Sequence, residues 1–498
     1  MNAPLRRVGV VVIVLFGLLF ANLNWIQGYQ AKSYRTSDFN GRVQIAEYDR
    51  PRGQIVVGGT PVAKSEATTD ELKYLRTYAA GPTYAHVVGI KPVNGAATGV
   101  EKINNDFLAG TDDRLFVDRL KEMWTGKTTA GGNVELTLSK AAQEAAVNEL
   151  ANNKVKASSG AVVALDPRTG KVLAMASMPS FDPAPLVSHN TAAAEQAFNA
   201  LNTNPAKPLL NRATSETFPP GSTMKVITSA AALAKGLGPD TVITGGTQYV
   251  APDTTTPINN APGVVCANQI TLKQALTVSC NTAFARLGVE QLGVDALRDA
   301  ARGFGFESEP TFGGDKDNAM RVAASSTGDI KDPDGTDDRP ALAQSCIGQA
   351  NVRMTPLQGA MVAAAIANNG SQMRPIVVEK LVGPDLTTYP GPDESELRRS
   401  VSPQVAATLQ DMMVSVVQNG TGRNARIDGF RVGGKTGTAQ AGDSGDDHGW
   451  FIGFVMKGNE PIAAVAVLLE HAGSGGSGEA TRIAGQVMRA IIAERGLK

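Results

Sequence analysis

Residues 218–225 constrain the fold of this chain most strongly, because they fix where a helix begins and which side chains share its first turn. The Pro-Pro-Gly run before Ser222 cannot continue a helix, serine is common where one begins, and an apolar run then extends to Gly236. Ser222 therefore lies at the positive end of a predicted helix, and Lys225 lies on the same face. Because a buried amine has a lowered pKa, Lys225 can take the hydroxyl proton of Ser222. The sequence predicts a serine nucleophile with a lysine base.

Two further motifs indicate the class of enzyme to which this Ser-Lys pair belongs. A Ser-x-x-Lys pattern alone is weak evidence, since ordinary residue usage produces one about once in a chain this long. Here Ser279-Cys280-Asn281 and Lys435-Thr436-Gly437-Thr438 follow it in the chain. The order S-x-x-K, S-x-N, K-T-G is typical of penicillin-binding proteins and class A β-lactamases. The chain resembles the class B penicillin-binding proteins, which are monofunctional peptidoglycan transpeptidases.

The resemblance implies a role for the second motif. Acyl transfer at a peptide carbonyl needs a nucleophile, a base, donors for the developing oxyanion and a proton for the leaving amine. In the family, the serine that corresponds to Ser279 relays a proton toward the leaving nitrogen. The asparagine that corresponds to Asn281 hydrogen-bonds the substrate and helps to hold the base, here Lys225.

The third motif is expected on a strand beside the substrate backbone, where Gly437 leaves room for a close approach. Lys435 would supply positive potential and Thr436 a hydroxyl for the substrate carboxylate. The resemblance further implies that the oxyanion hole is formed by the backbone N–H groups of Ser222 and Thr438.

Together these residues imply a D,D-transpeptidase that works by two acyl transfers. Ser222 would attack the penultimate D-Ala carbonyl of a stem pentapeptide and release the terminal D-Ala. An amine from a neighbouring stem peptide would then take the acyl group, which cross-links the peptidoglycan in cell wall synthesis for division or shape. β-Lactam antibiotics would enter the first step and then stall. Neither a cofactor nor a metal is implied.

The resemblance implies an α+β fold with three parts. The penicillin-recognising serine transpeptidase fold has a five-stranded antiparallel sheet flanked by helices, plus an all-helical subdomain. Here it is expected over residues 151–498, after a mixed α/β, non-catalytic pedestal of the dimerisation type at 31–150, a transmembrane helix at 8–30 and a cytoplasmic tail at 1–7. The pattern predicts the five strands at 160–166, 171–178, 433–440, 449–455 and 462–469, and a closing helix at 481–494.

The N-terminus predicts a membrane anchor. No charged side chain occurs between Val8 and Ala31, and Arg6 and Arg7 precede this stretch. Its wholly apolar part, 8–21, is shorter than an ideal span of about 20 residues, but the following residues extend it to an anchoring Trp25. A cleaved signal peptide is the alternative, although a good A-x-A cleavage site is missing. The favoured interpretation is a single-pass protein of the cytoplasmic membrane whose catalytic part lies outside.

Charge and histidine placement exclude other functions. The 47 basic and 47 acidic residues of the 498-residue chain cancel, which gives no electrostatic case for nucleic acid. The four histidines lack metal-ligand spacing, and His448, near the third motif, is interpreted as a loop or surface residue. The acidic run 332–338 lacks the glycine placement and terminal glutamate of a calcium loop, so a solvated loop is expected. The same is expected of the acidic residues nearer the cleft, which are Asp443, Asp446 and Asp447.

The three cysteines leave two alternatives. Cys266 and Cys280 enclose a short loop, and a disulfide there would contribute about 3 kcal/mol and hold the backbone of the second motif. Three buried free thiols, including Cys346, are the other alternative. In the pedestal, Arg52 and Glu101 are candidates either for an interdomain ion pair or for two solvated charges.

Hydrolases and scaffolds are the competing functions. A class A β-lactamase needs a deacylating Glu in an E-x-x-x-N setting, which is missing between the second and third motifs. A D,D-carboxypeptidase differs only in using water as the acceptor. A membrane scaffold that binds partners without turnover would not need three intact motifs. Because the chain has no glycosyltransferase domain of its own, a polytopic glycan polymerase of the shape, elongation, division and sporulation type is the expected membrane partner.

Overall fold

The computed structural model describes residues 2–30, 33–34, 47–125, 130–312, 319–440 and 445–497. Nineteen strands occur in these ranges. They are β1 Ile55–Val57, β2 Thr60–Ala67, β3 Tyr74–Tyr78, β4 Asn133–Leu136, β5 Gly160–Leu165, β6 Val172–Met178, β7 Val242–Thr244, β8 Gln248–Val250, β9 Pro257–Asn259, β10 Gln269–Thr271, β11 Thr311–Phe312, β12 Met320–Arg321, β13 Ser371–Met373, β14 Val378–Val382, β15 Thr388–Pro390, β16 Glu396–Arg399, β17 Arg431–Ala439, β18 His448–Lys457 and β19 Glu460–Leu469.

Fifteen α-helices are described in the same ranges. They are α1 Asn2–Asn24, α2 Gly81–Val88, α3 Gly99–Ile103, α4 Asn105–Ala109, α5 Phe116–Thr125, α6 Lys140–Ala151, α7 Thr191–Asn202, α8 Lys225–Ala234, α9 Leu272–Val278, α10 Asn281–Leu287, α11 Gly293–Gly303, α12 Arg339–Ser345, α13 Pro356–Ala367, α14 Pro403–Asn419 and α15 Gly476–Glu494. Many begin at a side chain that accepts a hydrogen bond from the first turn, as expected of good N-caps. These caps include Ser139, Asn190, Thr271, Asp338, Thr355 and Ser402.

The apolar N-terminal segment is one helix. α1 continues into a π-helical turn at Trp25–Tyr29. Within the 24 residues Arg6–Tyr29, an 18-residue window has a mean hydropathy of 2.2, and none of that window is buried against the rest of the chain. A bilayer core of about 30 Å needs about 20 helical residues, so this helix has the length and composition to cross a membrane.

A six-stranded sheet, called here the N-terminal sheet, has the order β15-β14-β4-β1-β2-β3. Only its β1–β4 pair is parallel. Four of its strands come from residues 55–136, whereas β14 and β15 come from residues 378–390, far along the chain. The presence of β14 and β15 in this sheet was not predicted from the sequence.

A buried charge cluster lies within the N-terminal region. The carboxylate of Glu101 accepts a hydrogen bond from Arg52 Nε at 2.7 Å and another from Arg76 Nε at 2.6 Å. All three residues are buried, so the ion-pair alternative for Arg52 and Glu101 is confirmed and the solvated alternative is wrong. It is not the expected interdomain pair, because Arg52, Arg76 and Glu101 all lie in the N-terminal segment that forms β1 to β4, where Arg76 also donates to the Gly53 carbonyl. The role of Arg76 was not predicted.

The central sheet has five antiparallel strands in the order β17-β18-β19-β5-β6. This confirms the predicted sheet, in which two early strands pair with three from the C-terminus. α6 and α15 cover one face through an apolar cluster that includes Ala146, Leu150 and Ile483. α13 lies on the other face with all twelve of its residues buried, as expected of a helix that is apolar all round.

A mostly helical subdomain lies between β6 and β17 and carries the first two motifs. The expectation that it is all helical needs correction. Two-stranded ribbons interrupt it, formed by β7 with β10 and by β8 with β9. These ribbons hold the loop that precedes α10, which bears part of the second motif.

Candidate active site

Ser222 lies in a 3-10 turn, Gly221–Met224, that leads into α8. The predicted α-helix therefore begins three residues later than expected, and Ser222 makes no capping hydrogen bond. The backbone is wound more tightly here, since Met224 and Lys225 have ψ values of −26° and −21°, which are closer to a 3-10 helix than to an α-helix. Lys225 Nζ nevertheless lies 3.0 Å from Ser222 Oγ, so the expected pair is in hydrogen-bond contact.

Lys225 is fully buried, and its surroundings disfavour a charge. Burial lowers the pKa of its amine well below the ordinary 10.5, and the nearby charge of Lys435 lowers that pKa further. The ring of Phe284 lies 5.9 Å from the Lys225 nitrogen. No carboxylate contacts Lys225 among the ion pairs of the described residues. A neutral amine, which is the form that can act as a base, is thereby favoured.

The hydrogen bonds around Lys225 also fit a neutral amine. Its Nζ lies 2.8 Å from the carbonyl oxygen of Ser279 and 2.6 Å from Oδ1 of Asn281, and neither oxygen can donate. The two N–H groups of a neutral amine satisfy these two acceptors. The lone pair is then left for the hydroxyl of Ser222, which can donate to it.

Ser279 reaches Lys225 because of an unusual backbone conformation. It ends α9 with a φ of +64°, in the left-handed region that non-glycine residues rarely adopt. The Cys280 N–H bonds back to the carbonyl of Ala275 at 2.9 Å, which closes the helix end. This turn directs both the carbonyl and the hydroxyl of Ser279 at Lys225, with Oγ at 3.2 Å from Nζ.

Asn281 is oriented by neighbours that the sequence analysis missed. Its Nδ2 donates to the carbonyl of Asn259 at 2.8 Å, which turns its Oδ1 toward Lys225. Its backbone N–H donates to Oδ1 of Asn260 at 2.8 Å. Asn259 ends β9, so the ribbon formed by β8 and β9 positions the second motif. No sequence pattern links these asparagines to the motif 21 or 22 residues away.

Lys435 lies on β17, as predicted, and faces the same centre. Its Nζ lies 2.9 Å from Ser279 Oγ and donates to the Thr436 carbonyl at 2.9 Å. Burial lowers the pKa of Lys435 to about 7. The amines of Lys225 and Lys435 therefore both lie beside Ser279 Oγ. If Lys435 donates a hydrogen bond to this oxygen, the hydroxyl proton of Ser279 stays free to point at another group, such as a substrate.

The turn that carries Ser222 packs flat against β17, and two glycines make this possible. A Cβ on Gly221 would lie 2.4 Å from the carbonyl oxygen of Thr438, and one on Gly437 would lie 2.8 Å from that of Pro220. Trp450, fully buried on β18, donates from Nε1 to the Pro219 carbonyl at 2.9 Å. The backbones of Ser222 and Thr438, the expected oxyanion donors, are thereby brought side by side.

Thr421 is a further residue of the site that was not predicted from the sequence. Its Oγ1 lies 2.6 Å from Oγ1 of Thr436, and Thr421 itself is exposed. It follows α14, in a turn between two glycines that reads like any loop. Only the fold places this turn beside β17.

His448 corrects one expectation. It is not a loop or surface residue, because it begins β18 and is only 6% exposed. Its Nδ1 accepts the backbone N–H of His471 at 3.2 Å, and its ring makes an edge contact with Phe218. Burial, with smaller contributions from His471 and Arg353, lowers the pKa of His448 to about 4, so it is neutral near pH 7.

The acidic residues near the cleft lie outside this network. Asp446 is exposed and Asp447 is half-buried, and the carbonyl of Asp447 accepts the Ala472 N–H. Asp443 lies outside the described residues. In the run 332–338, the carboxylate of Asp334 is bonded to Thr336, and residues 332–337 are exposed, as expected of a solvated loop.

Cys266 and Cys280 form a disulfide, whereas Cys346 is buried and free. The disulfide alternative is therefore confirmed over three free thiols. Cys280 lies between Ser279 and Asn281, so the bond ties the second motif to the loop that ends at β10.

Family models match most of the chain. Residues 160–492 match the penicillin binding protein transpeptidase domain, and residues 52–134 match the penicillin binding protein A dimerisation domain.

Full-length relatives agree with these matches. The chain is 43% identical to the peptidoglycan D,D-transpeptidase PbpA of Mycolicibacterium smegmatis, with 99% of each chain covered. It is 41% identical to the protein of that name from Mycobacterium tuberculosis, with 99% of this chain and 98% of the relative covered.

Solved structures agree as well. The crystal structure of PBPA from M. tuberculosis is matched with a TM-score of 0.83 at 40% identity, over 89% of this chain and 100% of that one. An acyl-enzyme complex of that protein with penicillin G is matched with a TM-score of 0.81 at 40% identity, over 90% of this chain and 99% of that one.

Proposed function

The chain belongs to the penicillin-binding protein transpeptidases, and on that premise we propose that it cross-links peptidoglycan stem peptides with Ser222 as nucleophile and Lys225 as base. The observation that carries the assignment is the 3.0 Å contact between Ser222 Oγ and a buried Lys225 amine whose N–H groups already have other acceptors. The enzyme is a serine-type D-Ala-D-Ala transpeptidase, and β-lactams acylate it.

In the first step, the Lys225 lone pair takes the hydroxyl proton of Ser222 while Oγ bonds to the penultimate D-Ala carbonyl carbon. The backbone N–H groups of Ser222 and Thr438 stabilise the developing oxyanion. Donors of this kind are typically worth a hundredfold or more in rate. The C–N bond then breaks, and the leaving D-Ala nitrogen receives a proton through Ser279 Oγ, which lies 3.2 Å from Lys225 Nζ.

In the second step, the amine of a neighbouring stem peptide attacks the acyl-enzyme. Its excess proton returns by the same route, and Ser222 leaves with its proton restored. Lys435 supports both steps from 2.9 Å, because it donates to Ser279 Oγ and leaves the Ser279 proton free to point at the substrate nitrogen. Asn281, which holds Lys225 at 2.6 Å, fixes the direction of the lone pair.

The third motif is proposed to bind the donor peptide. The substrate backbone runs along β17 over Gly437, where no side chain intervenes. Its terminal carboxylate is bound by the Thr436 hydroxyl and by the positive potential of Lys435. A β-lactam presents a carboxylate of the same kind, which explains why one site accepts both.

The cellular setting is part of the proposal. We place α1 across the cytoplasmic membrane, residues 1–7 in the cytoplasm and the catalytic part outside, since Arg6 and Arg7 precede the apolar span. The pedestal at 31–150 and the transpeptidase domain at 151–498 stay as predicted divisions. A polytopic glycan polymerase in the membrane is the proposed partner that supplies uncross-linked strands.

Intact-mass spectrometry of the full chain in detergent tests the assignment. Benzylpenicillin is expected to leave a lasting adduct on Ser222, and a thioester donor with a D-amino acid is expected to give an amine-dependent product. Ser222→Ala should lose both while keeping its unfolding temperature. An adduct lost within seconds would indicate a β-lactamase, a product that does not depend on the amine would indicate a carboxypeptidase, and no adduct would favour a scaffold.

A further inference from the structure

α5 is the helix Phe116–Thr125, which follows a 3-10 turn at Asp113–Leu115. It turns its apolar face outward and its polar face inward, the opposite of an ordinary surface helix. Four large apolar side chains on it are exposed, namely Phe116 at 54%, Val117 at 60%, Leu120 at 47% and Trp124 at 93%. At 100° per residue they lie within an arc of about 100°. We call these four residues the α5 stripe. They are four of the nine strongly exposed large apolar side chains that the structure describes after residue 47.

The inward face of α5 is polar, and its charges are paired. Asp118 is buried and contacts Lys121 at 3.3 Å. Glu122, whose side chain is only 12% exposed, contacts Arg50 at 3.4 Å. The Asp118–Lys121 pair lies within the helix, whereas the Glu122–Arg50 pair joins this inner face to the rest of the chain. An apolar stripe turned outward under these conditions indicates a binding surface.

The position of α5 points to what covers this stripe. Arg50 lies just past the segment that leads out of the membrane helix, so α5 packs where the chain from the membrane enters the fold. Seventeen residues, 30–46, separate Tyr29 from Glu47. Even fully extended they span at most about 60 Å. The bilayer is thus an apolar phase that this tether keeps within reach of the stripe.

The chemistry of the stripe also fits a bilayer. A nearly fully exposed tryptophan beside aliphatic side chains is typical of helices that lie at a membrane interface. Leu386, at the turn between β14 and β15, is 78% exposed, and Tyr389 on β15 donates from its hydroxyl to the carbonyl of Arg114, just before α5, at 3.0 Å. The hairpin next to α5 therefore adds a fifth exposed apolar side chain on this side of the molecule.

We propose that the α5 stripe lies in the outer surface of the membrane that carries α1, so that the N-terminal sheet rests on the lipid as well as being tethered to it. The flanking bases are already paired, Arg114 with Asp112 and Arg119 with Asp113. Apolar burial, and not attraction to anionic lipid, is therefore the driving force. The association should occur on phosphatidylcholine and be insensitive to salt.

The test uses the full chain with Trp25→Phe in phosphatidylcholine nanodiscs, which leaves Trp124 and the fully buried Trp450 as fluorophores. Lipids brominated near the carbonyl end of the chain should quench Trp124 more than lipids brominated near the terminal methyl. The reason is that an interfacial helix inserts only about 5–10 Å. A chain that also carries Trp124→Phe provides the baseline.

Matched variants make the result specific. Val117→Asp with Leu120→Asp should abolish the quenching, whereas Phe198→Asp, on the exposed face of α7, should leave it unchanged. Circular dichroism melting confirms that each variant is folded. Solvent-like, unquenched Trp124 emission in the parent chain would overturn the proposal and leave the stripe to a protein partner. Protection of Trp124 only when two copies share a nanodisc would overturn it in favour of a second copy of the chain.

Discussion

The amine of Lys435 lies 2.9 Å from the hydroxyl oxygen of Ser279, and the amine of Lys225 lies 3.2 Å from that same oxygen. Two buried amines that share one hydroxyl cannot both keep a proton at low cost. Burial lowers the pKa of Lys435 to about 7, whereas burial and the charge of Lys435 together lower the pKa of Lys225 well below its ordinary 10.5. Lys435 therefore keeps a proton more readily than Lys225, which suits the proposed roles of Lys435 as cation and Lys225 as base.

Removal of the Lys435 charge should weaken Lys225 as a base at low pH. Lys435→Gln takes away a charge that lowers the pKa of Lys225, so that pKa should rise. A base works only above its pKa. The acid limb of the pH profile for penicillin acylation should therefore move to higher pH. Lys435→Arg keeps the charge and should leave that limb in place, and an equal movement in both variants would contradict the model.

Loss of the Thr421 hydroxyl should weaken binding of the donor carboxylate. Thr421→Val removes the partner 2.6 Å from Thr436 Oγ1, which lets that hydroxyl rotate away from the substrate. The loss of one hydrogen bond, about 1 kcal/mol, predicts roughly a fivefold to tenfold fall in the acylation rate constant. Thr421→Ser should restore it. Stopped-flow acylation measures the effect, and equal rates for the Val and Ser variants would show that the hydroxyl has no such role.

Reduction of the Cys266–Cys280 bond should loosen the second motif. The bond closes a short loop, with a sequence separation of 14, so its loss should lower the free energy of unfolding by about 3 kcal/mol. Acylation should slow as well, because Cys280 lies between Ser279 and Asn281. Thermal melting and acylation are compared with and without reductant. The chain with Cys266→Ala and Cys280→Ala should no longer respond to reductant.

Glu101 should be among the most sensitive positions for stability. Glu101→Gln would leave the buried Arg52 and Arg76 without their shared counterion, which predicts a loss of about 3–5 kcal/mol in urea unfolding. Burial alone would raise the pKa of Glu101, but the charges of Arg76 and Arg52 lower it overall. A lowered carboxylate pKa contributes stability above the ordinary value of 4.5, and that stability is lost as pH falls through the lowered one. Glu66→Gln, at an exposed pair, should have little effect.

Strand patterns and the family resemblance predicted the central sheet, and the three motifs predicted the residues that meet at its edge. Pattern and spacing carry this information, because Ser222 and Lys225 share one helical turn and the K-T-G residues share one strand. What sequence reasoning missed depends on long-range packing. Thr421 and Asn259 have ordinary loop sequences and gain their contacts only when a turn or ribbon is folded against the site.

His448 is a residue for which the prediction from sequence was wrong, again because long-range packing decides its surroundings. It was interpreted from the sequence as a loop or surface residue, but it begins a strand whose residues are buried on both faces. The reversal of α5 could not be read from amphipathic spacing either. Such spacing predicts which side chains share a face but not which way that face turns.

The N-terminal sheet takes β14 and its edge strand β15 from residues 378–390, so the chain crosses out of this sheet after β4 and back into it at β14. Thr137 marks the crossing, since its hydroxyl bonds to the carbonyls of both Val172 and Ile376. A chimera that exchanged only the first 150 residues for those of a relative would pair foreign strands with the native β14–β15 hairpin. Evolutionary or engineered shuffling of this N-terminal part therefore has to carry two separated gene segments together.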